Sequence, residues 1–78
     1  MTMQIATMLD TKGLSCPLPI VKTAQAIRDM RPGELIEVEA TDPGSVPDFK
    51  AWAASTGNEL VEQTEDRGVY RFVLCKRG

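Results

Sequence analysis

The sequence predicts an α+β fold, a two-layer α/β sandwich of βαβαββ order with two helices on one face of a four-stranded mixed sheet. Three observations lead there. Short runs rich in alternating apolar residues occur four times, two stretches between them carry apolar residues at helical steps, and Pro and Gly fall as punctuation between runs rather than in a linker. The 78 residues suit one small domain, expected over 1–78. A chain of that size buries roughly 60% of its unfolded surface.

The first strand is expected from Ile5 to Asp10, followed by a loop from Thr11 to Ser15. Proline fixes φ near a helical value and has no N–H to satisfy, so a first helical turn accepts it. Pro17 therefore marks the start of the first helix, which runs to about Met30 and leaves Cys16 at the N-cap. Ile20, Ala24, Ile27 and Met30, with Val21 beside them, form its apolar stripe, while Lys22, Gln25 and Asp29 take the other face. Arg31-Pro32-Gly33 stops it.

A second strand follows from Glu34 to Thr41, with Ile36, Val38 and Ala40 inward and Glu37 and Glu39 toward water. Asp42-Pro43-Gly44 turns the chain. Ser45 opens the second helix with Asp48 three residues on, in the manner of a capping box, and Gly57 ends it. Phe49, Trp52 and Ala53 supply its apolar stripe, with Trp52 assigned to the core. Glu59 to Glu65 and Val69 to Lys76 read as strands joined by the hairpin Asp66-Arg67-Gly68. Right-handed crossovers then put both helices on one face, with the first three strands running one way and the last strand antiparallel. Ser15-Cys16, the Asp42 to Ser45 loop and the Asp66 to Gly68 turn gather at the carboxyl ends of the strands, the usual working edge of such sheets. Cys75 goes to the far edge.

Composition removes several chemistries. There is no histidine, so Cys-His hydrolase chemistry and most zinc-site spacings are excluded, and the two cysteines are too far apart for a Cys-x-x-Cys pair. No metal or cofactor is expected. The net charge of -2, with acidic and basic residues interspersed, argues against direct nucleic-acid binding. Met1 to Leu9 lacks a basic leader pattern and no stretch has the length of a membrane span, so a cytoplasmic protein with reduced thiols is expected.

What remains is a single thiol in Gly13-Leu14-Ser15-Cys16-Pro17-Leu18-Pro19. At a helix N-cap the sulfur would face the positive end of the helix dipole, so the Pro17 and Pro19 helix start is expected to support a thiolate at Cys16. Lys12, Lys22 and Arg67 are candidates to lower the thiol pKa or to steer an acidic partner. Leu14 and Leu18 flank the cysteine, one expected to plug the core and the other to belong to a docking patch. Asp10 and Asp42, before turn residues, read as turn formers. Cys75 reads as structural or incidental, because Tyr70, Phe72 and Leu74 already fill the inward set of its strand.

From Leu9 to Lys76 the chain resembles the TusA-type, or SirA-like, sulfur carriers. The resemblance rests on Asp10 before Gly13-Leu14, on Cys16-Pro17-Leu18-Pro19, Pro32-Gly33-Glu34, Asp42-Pro43, Asp48 and Gly57, and on the closing basic strand. It implies the same βαβαββ sandwich and a sulfane sulfur carried as a persulfide on Cys16. It also implies a sulfur donor protein, a cysteine desulfurase or a rhodanese-like protein, and a sulfur acceptor protein. Transfer RNA thiolation and dissimilatory sulfur oxidation are the pathways it suggests. The apolar Leu18 between the prolines and the second thiol, Cys75, depart from the family pattern. A monomer is expected, without membrane contact. The rival reading is a thiol-based regulatory or interaction module without sulfur transfer.

Overall fold

The computed structural model describes residues 4–77, so the first three residues of the Met1 to Leu9 stretch, and Gly78, lie outside the described residues. The elements are β1 (Ile5–Thr11), α1 (Leu18–Arg28), β2 (Leu35–Ala40), α2 (Ser45–Thr56), β3 (Glu59–Asp66) and β4 (Val69–Cys75). The sheet order is β1-β2-β4-β3, with β1 parallel to β2 and β4 antiparallel to both of its neighbours. The predicted element order and strand directions therefore hold, and the last strand lies in the interior of the sheet. Phe72, Val73 and Leu74 of β4 are fully buried, as an uninterrupted apolar run in an interior strand requires. The hairpin that returns β4 beside β3 turns on Arg67 at φ 53° and Gly68 at φ 82°. Two successive positive φ values mark the tight turn whose twist matches the strands.

The core is one cluster of Ile27, Met30, Ile36, Val38, Ala40, Phe49, Ala53, Phe72 and Leu74. Phe49 of α2 stacks on Phe72 of β4 with ring centroids 4.4 Å apart, locking the helix onto the middle of the sheet. Trp52, expected in the core, is only half-buried and packs edge-on against Phe49 at 6.4 Å. Gly57 caps α2 at φ 81°, in the left-handed conformation its sequence position suggested.

Helix α1 is shorter than predicted at both ends, starting at Leu18 and ending at Arg28. Beyond Arg28 the chain tightens into i→i−3 bonds, Asp29 N–H to Ala26 O and Met30 N–H to Ile27 O, which still carry Met30 into the core. Val21, read as part of the inward stripe, is 42% exposed. The buried place goes to Thr23, whose hydroxyl donates to the Pro19 carbonyl at 2.7 Å and so hides its polarity inside the helix.

The sheet face away from the helices also departs from simple alternation. Glu37, expected toward water, is 8% exposed. Arg71 explains it, since its guanidinium donates to Glu37 and, at 2.6 Å, to Glu62, spanning three strands. Val73 lies in register with Glu37 and Glu62 on that face and is fully buried. Long charged side chains can cover an apolar neighbour with their stems while their heads pair at the surface.

Cys75 pairs with Leu35 and Glu59 at the start of β2 and β3, the edge opposite Cys16, and both thiols are free. Among the described residues no helix is long and apolar enough to cross a membrane. Two predictions follow from the packing. Intact mass under non-reducing conditions should show no Cys16–Cys75 bond within the native chain, and a quantitative one would contradict the strand register. Phe72→Ala should cost about 3–5 kcal/mol, read as a lower urea midpoint at unchanged m-value. A loss below about 1 kcal/mol would contradict the central place of the aromatic stack.

Candidate functional site

The segment leaving β1 is fastened to the segment leaving β2. The parallel register ends at Thr11 beside Ala40. From there the Thr11 hydroxyl donates to Glu39 O at 2.6 Å and Gly13 N–H donates to the Thr41 hydroxyl at 2.9 Å. Asp10 is the turn former it was read as, its carboxylate accepting the Lys12 N–H at 2.9 Å. Asp42 makes the next tie. Its two oxygens accept the Cys16 N–H at 2.7 Å and the Gly44 N–H at 3.1 Å. These two donors, Cys16 first, hold the Asp42 carboxyl below its usual range.

Cys16 is thereby held exposed on the loop, and its thiol donates a hydrogen bond to the Asp48 carboxylate in the first turn of α2. The expected placement of the cysteine requires correction. Pro17 is the N-cap of α1, at φ -98° and ψ 17°, and Cys16 precedes it across a cis peptide bond. The expected electrostatics require correction too. Pro17 and Pro19 have no N–H, and the Leu18 N–H is taken by the Ser15 carbonyl at 2.9 Å, so the first turn has few amides to give the sulfur. The Cys16 thiol is instead pushed up from its ordinary pKa, first by its hydrogen bond to Asp48, then by desolvation and by the charges of Asp48 and Asp42. The thiol is hydrogen-bonded to a carboxylate, which opposes the thiolate that the helix start was expected to support.

The Ser45 to Asp48 pair was read as a capping box. Gly44 is the N-cap of α2, no side chain caps the helix, and the buried Ser45 hydroxyl has no partner. Asp48 turns instead to the sulfur, from a position where its negative charge meets the positive end of α2. This is the functional contact that sequence reasoning missed. The available signal was Asp48 on the first turn after a loop already assigned to the same sheet edge as Cys16.

The candidate basic residues lie elsewhere. Lys12 pairs with Glu39 at 3.2 Å and with Asp10 at 3.5 Å. Arg67 is exposed on the β3–β4 turn and Lys22 on α1, and none of the three is among the groups that shift the thiol. Leu14 is half-buried, whereas Leu18 is 43% exposed and Val21, one helical turn on, joins it in an apolar shoulder after Cys16 and the exposed Pro17. Pro19 is buried. Shallow depressions of about 390, 510 and 150 Å³ lie elsewhere, and Cys16 lines none of the three.

A family model described as "Sulfurtransferase TusA" matches residues 7–76. The sulfur carrier protein TusA of Allochromatium vinosum is 48% identical over 68 residues, covering 87% of this chain and 90% of that protein. The sulfur carrier protein TusA of Pseudomonas aeruginosa PAO1 is 39% identical over 77 residues, covering 99% and 98%. The putative sulfur carrier protein YrkF of Bacillus subtilis is 45% identical over 76 residues, but this chain spans 41% of its length. A SirA-like protein of Desulfitobacterium hafniense has the same fold, with a TM-score of 0.80 at 20% identity, over 92% of this chain and 99% of that one.

The Asp42 tie has a pH dependence. Because its folded pKa is depressed, the stabilisation is present above the unfolded carboxylate value of about 3.9 and is lost as the pH falls through the folded value. Hydrogen exchange should show the Cys16 and Gly44 amides protected at neutral pH, with protection factors dropping as Asp42 is protonated. Protection that survives complete protonation of Asp42 would contradict the tie.

Proposed function

Since this chain belongs to the TusA family of sulfurtransferases, we propose that it is a sulfur carrier whose Cys16 holds a sulfane sulfur as a persulfide between two protein partners. The observation that carries this reading is an exposed thiol on a surface loop, outside any of the described depressions. A buried cleft would suit a small-molecule substrate. An exposed sulfur suits a transient protein interface, where a second cysteine brings its own persulfide into contact.

The chemistry is thiol–disulfide exchange in form. The Cys16 sulfur attacks the terminal sulfur of a donor persulfide, a new S–S bond forms as the donor's breaks, and the donor departs as a thiol. No external oxidant or reductant is consumed. A cysteine desulfurase or rhodanese-like protein serves as donor, and an acceptor protein takes the sulfur by the same exchange. Delivery toward transfer RNA thiolation or toward dissimilatory sulfur oxidation uses identical chemistry at Cys16 and differs in the acceptor. Leu18 and Val21 offer a partner apolar area beside the sulfur, with Leu14 below and Lys22 and Arg67 as peripheral charges. Residues 1–78 act as one carrier domain and a monomer, in the cytoplasm, where thiols stay reduced.

Incubation with polysulfide, or with a cysteine desulfurase and cysteine, should raise the intact mass by one sulfur atom. Cys16→Ser should abolish the gain and Cys75→Ser should keep it. No gain in the wild-type protein, or a gain that survives Cys16→Ser, would overturn the assignment and favour a thiol-based regulatory module.

A further inference from the structure

The acceptance step leaves one group unassigned: something must take the proton from the Cys16 sulfur as it attacks and supply one to the sulfur that departs. Histidine, the usual shuttle, is absent from the chain. Lys12 is engaged with Glu39 and Asp10. Asp42 has each carboxylate oxygen bonded to a backbone N–H. Among the described residues Asp48 alone is hydrogen-bonded to the sulfur itself, from the first turn of a helix locked onto the sheet by Phe49.

We infer that Asp48 is the catalytic proton carrier of the site, receiving the Cys16 proton as the S–S bond forms and passing it to the departing donor sulfur. The inference rests on the carrier reading above. The step balances as Cys16–SH plus R–S–SH giving Cys16–S–SH plus R–SH. The bond formed joins the Cys16 sulfur to the sulfane sulfur, the bond broken is the donor's S–S, and the transferred sulfur keeps its oxidation level. Delivery runs the same step backward. The incoming acceptor thiol loses its proton to Asp48, and Asp48 returns it to the Cys16 sulfur as that sulfur leaves.

The resting state fits this task. The Cys16 thiol already donates to Asp48, so the proton lies on the path it takes when bond formation makes the thiol acidic. The same pairing keeps the thiolate fraction low between encounters, which limits side reactions with alkylating agents and oxidants.

The test separates proton carriage from simple positioning by comparing two electrophiles. Alkylation by iodoacetamide expels iodide, which needs no proton. Transfer from a low-molecular-weight persulfide such as glutathione persulfide expels a thiolate, which does. In a Cys75→Ser background, Asp48→Asn should shift the alkylation pH profile to lower pH and raise the rate at pH 7. Sulfur loading, followed by quenched intact mass, should instead slow by about 10²-fold, and Asp48→Glu should recover part of it. If Asp48→Asn loads sulfur at the wild-type rate, or if loading and alkylation accelerate together, the inference is overturned while the carrier reading stands. A wild-type protein that takes up no sulfur overturns both.

Discussion

The grip of the α2 entry on the Cys16 loop is the constraint on which the rest of the site depends. Asp42 holds the loop by its backbone and Asp48 holds it by its sulfur, so two carboxylates six residues apart fix both the position and the protonation of one atom. That grip exists because β1 and β2 run parallel and in unbroken register from Thr7 beside Ile36 to Thr11 beside Ala40, which brings the two loops out side by side. The chain uses ordinary secondary-structure geometry to place a thiol on an exposed loop rather than in a pocket.

The scaffold beneath is rigid where the site needs it to be. β4 lies between β2 and β3, the Phe49 and Phe72 rings stack across the layers, and Arg71 ties three strands together on the open face. A small domain has little stability in reserve, so a central strand buried on both faces contributes disproportionately. The Cys16 loop is a surface segment hung from this frame by hydrogen bonds. It can present its sulfur to a partner without unpacking the core.

Much of the architecture was legible because it is written in periodicity and punctuation. Alternating residues in β2, the Pro-x-Pro entry to α1, Gly57 after α2 and the Asp66-Arg67-Gly68 turn each follow from a local rule, and each lies within a residue or two of its expected place. What escaped the sequence involves pairs distant along the chain. Glu37 reads as a solvent residue until Arg71 is placed beside it, Val21 reads as core until Thr23 satisfies its own hydroxyl, and Trp52 yields the centre to Phe49. Cys16 itself was found from its motif. Its electrostatics were not, because the helix-dipole argument is local whereas the decisive neighbour, Asp48, arrives from another helix 32 positions along the chain.

The reversal changes what kind of sulfur centre this is. A thiolate kept ready by a dipole would react with any electrophile, while a thiol paired with a carboxylate waits for a reaction in which the proton has somewhere to go. The most direct measurement is a titration of Cys16 by its ¹³Cβ chemical shift in the reduced protein, with selective labelling to separate it from Cys75. The expected midpoint lies above that of an ordinary cysteine thiol and falls when Asp48 is neutralised. A midpoint below the ordinary value, indifferent to Asp48, would contradict it.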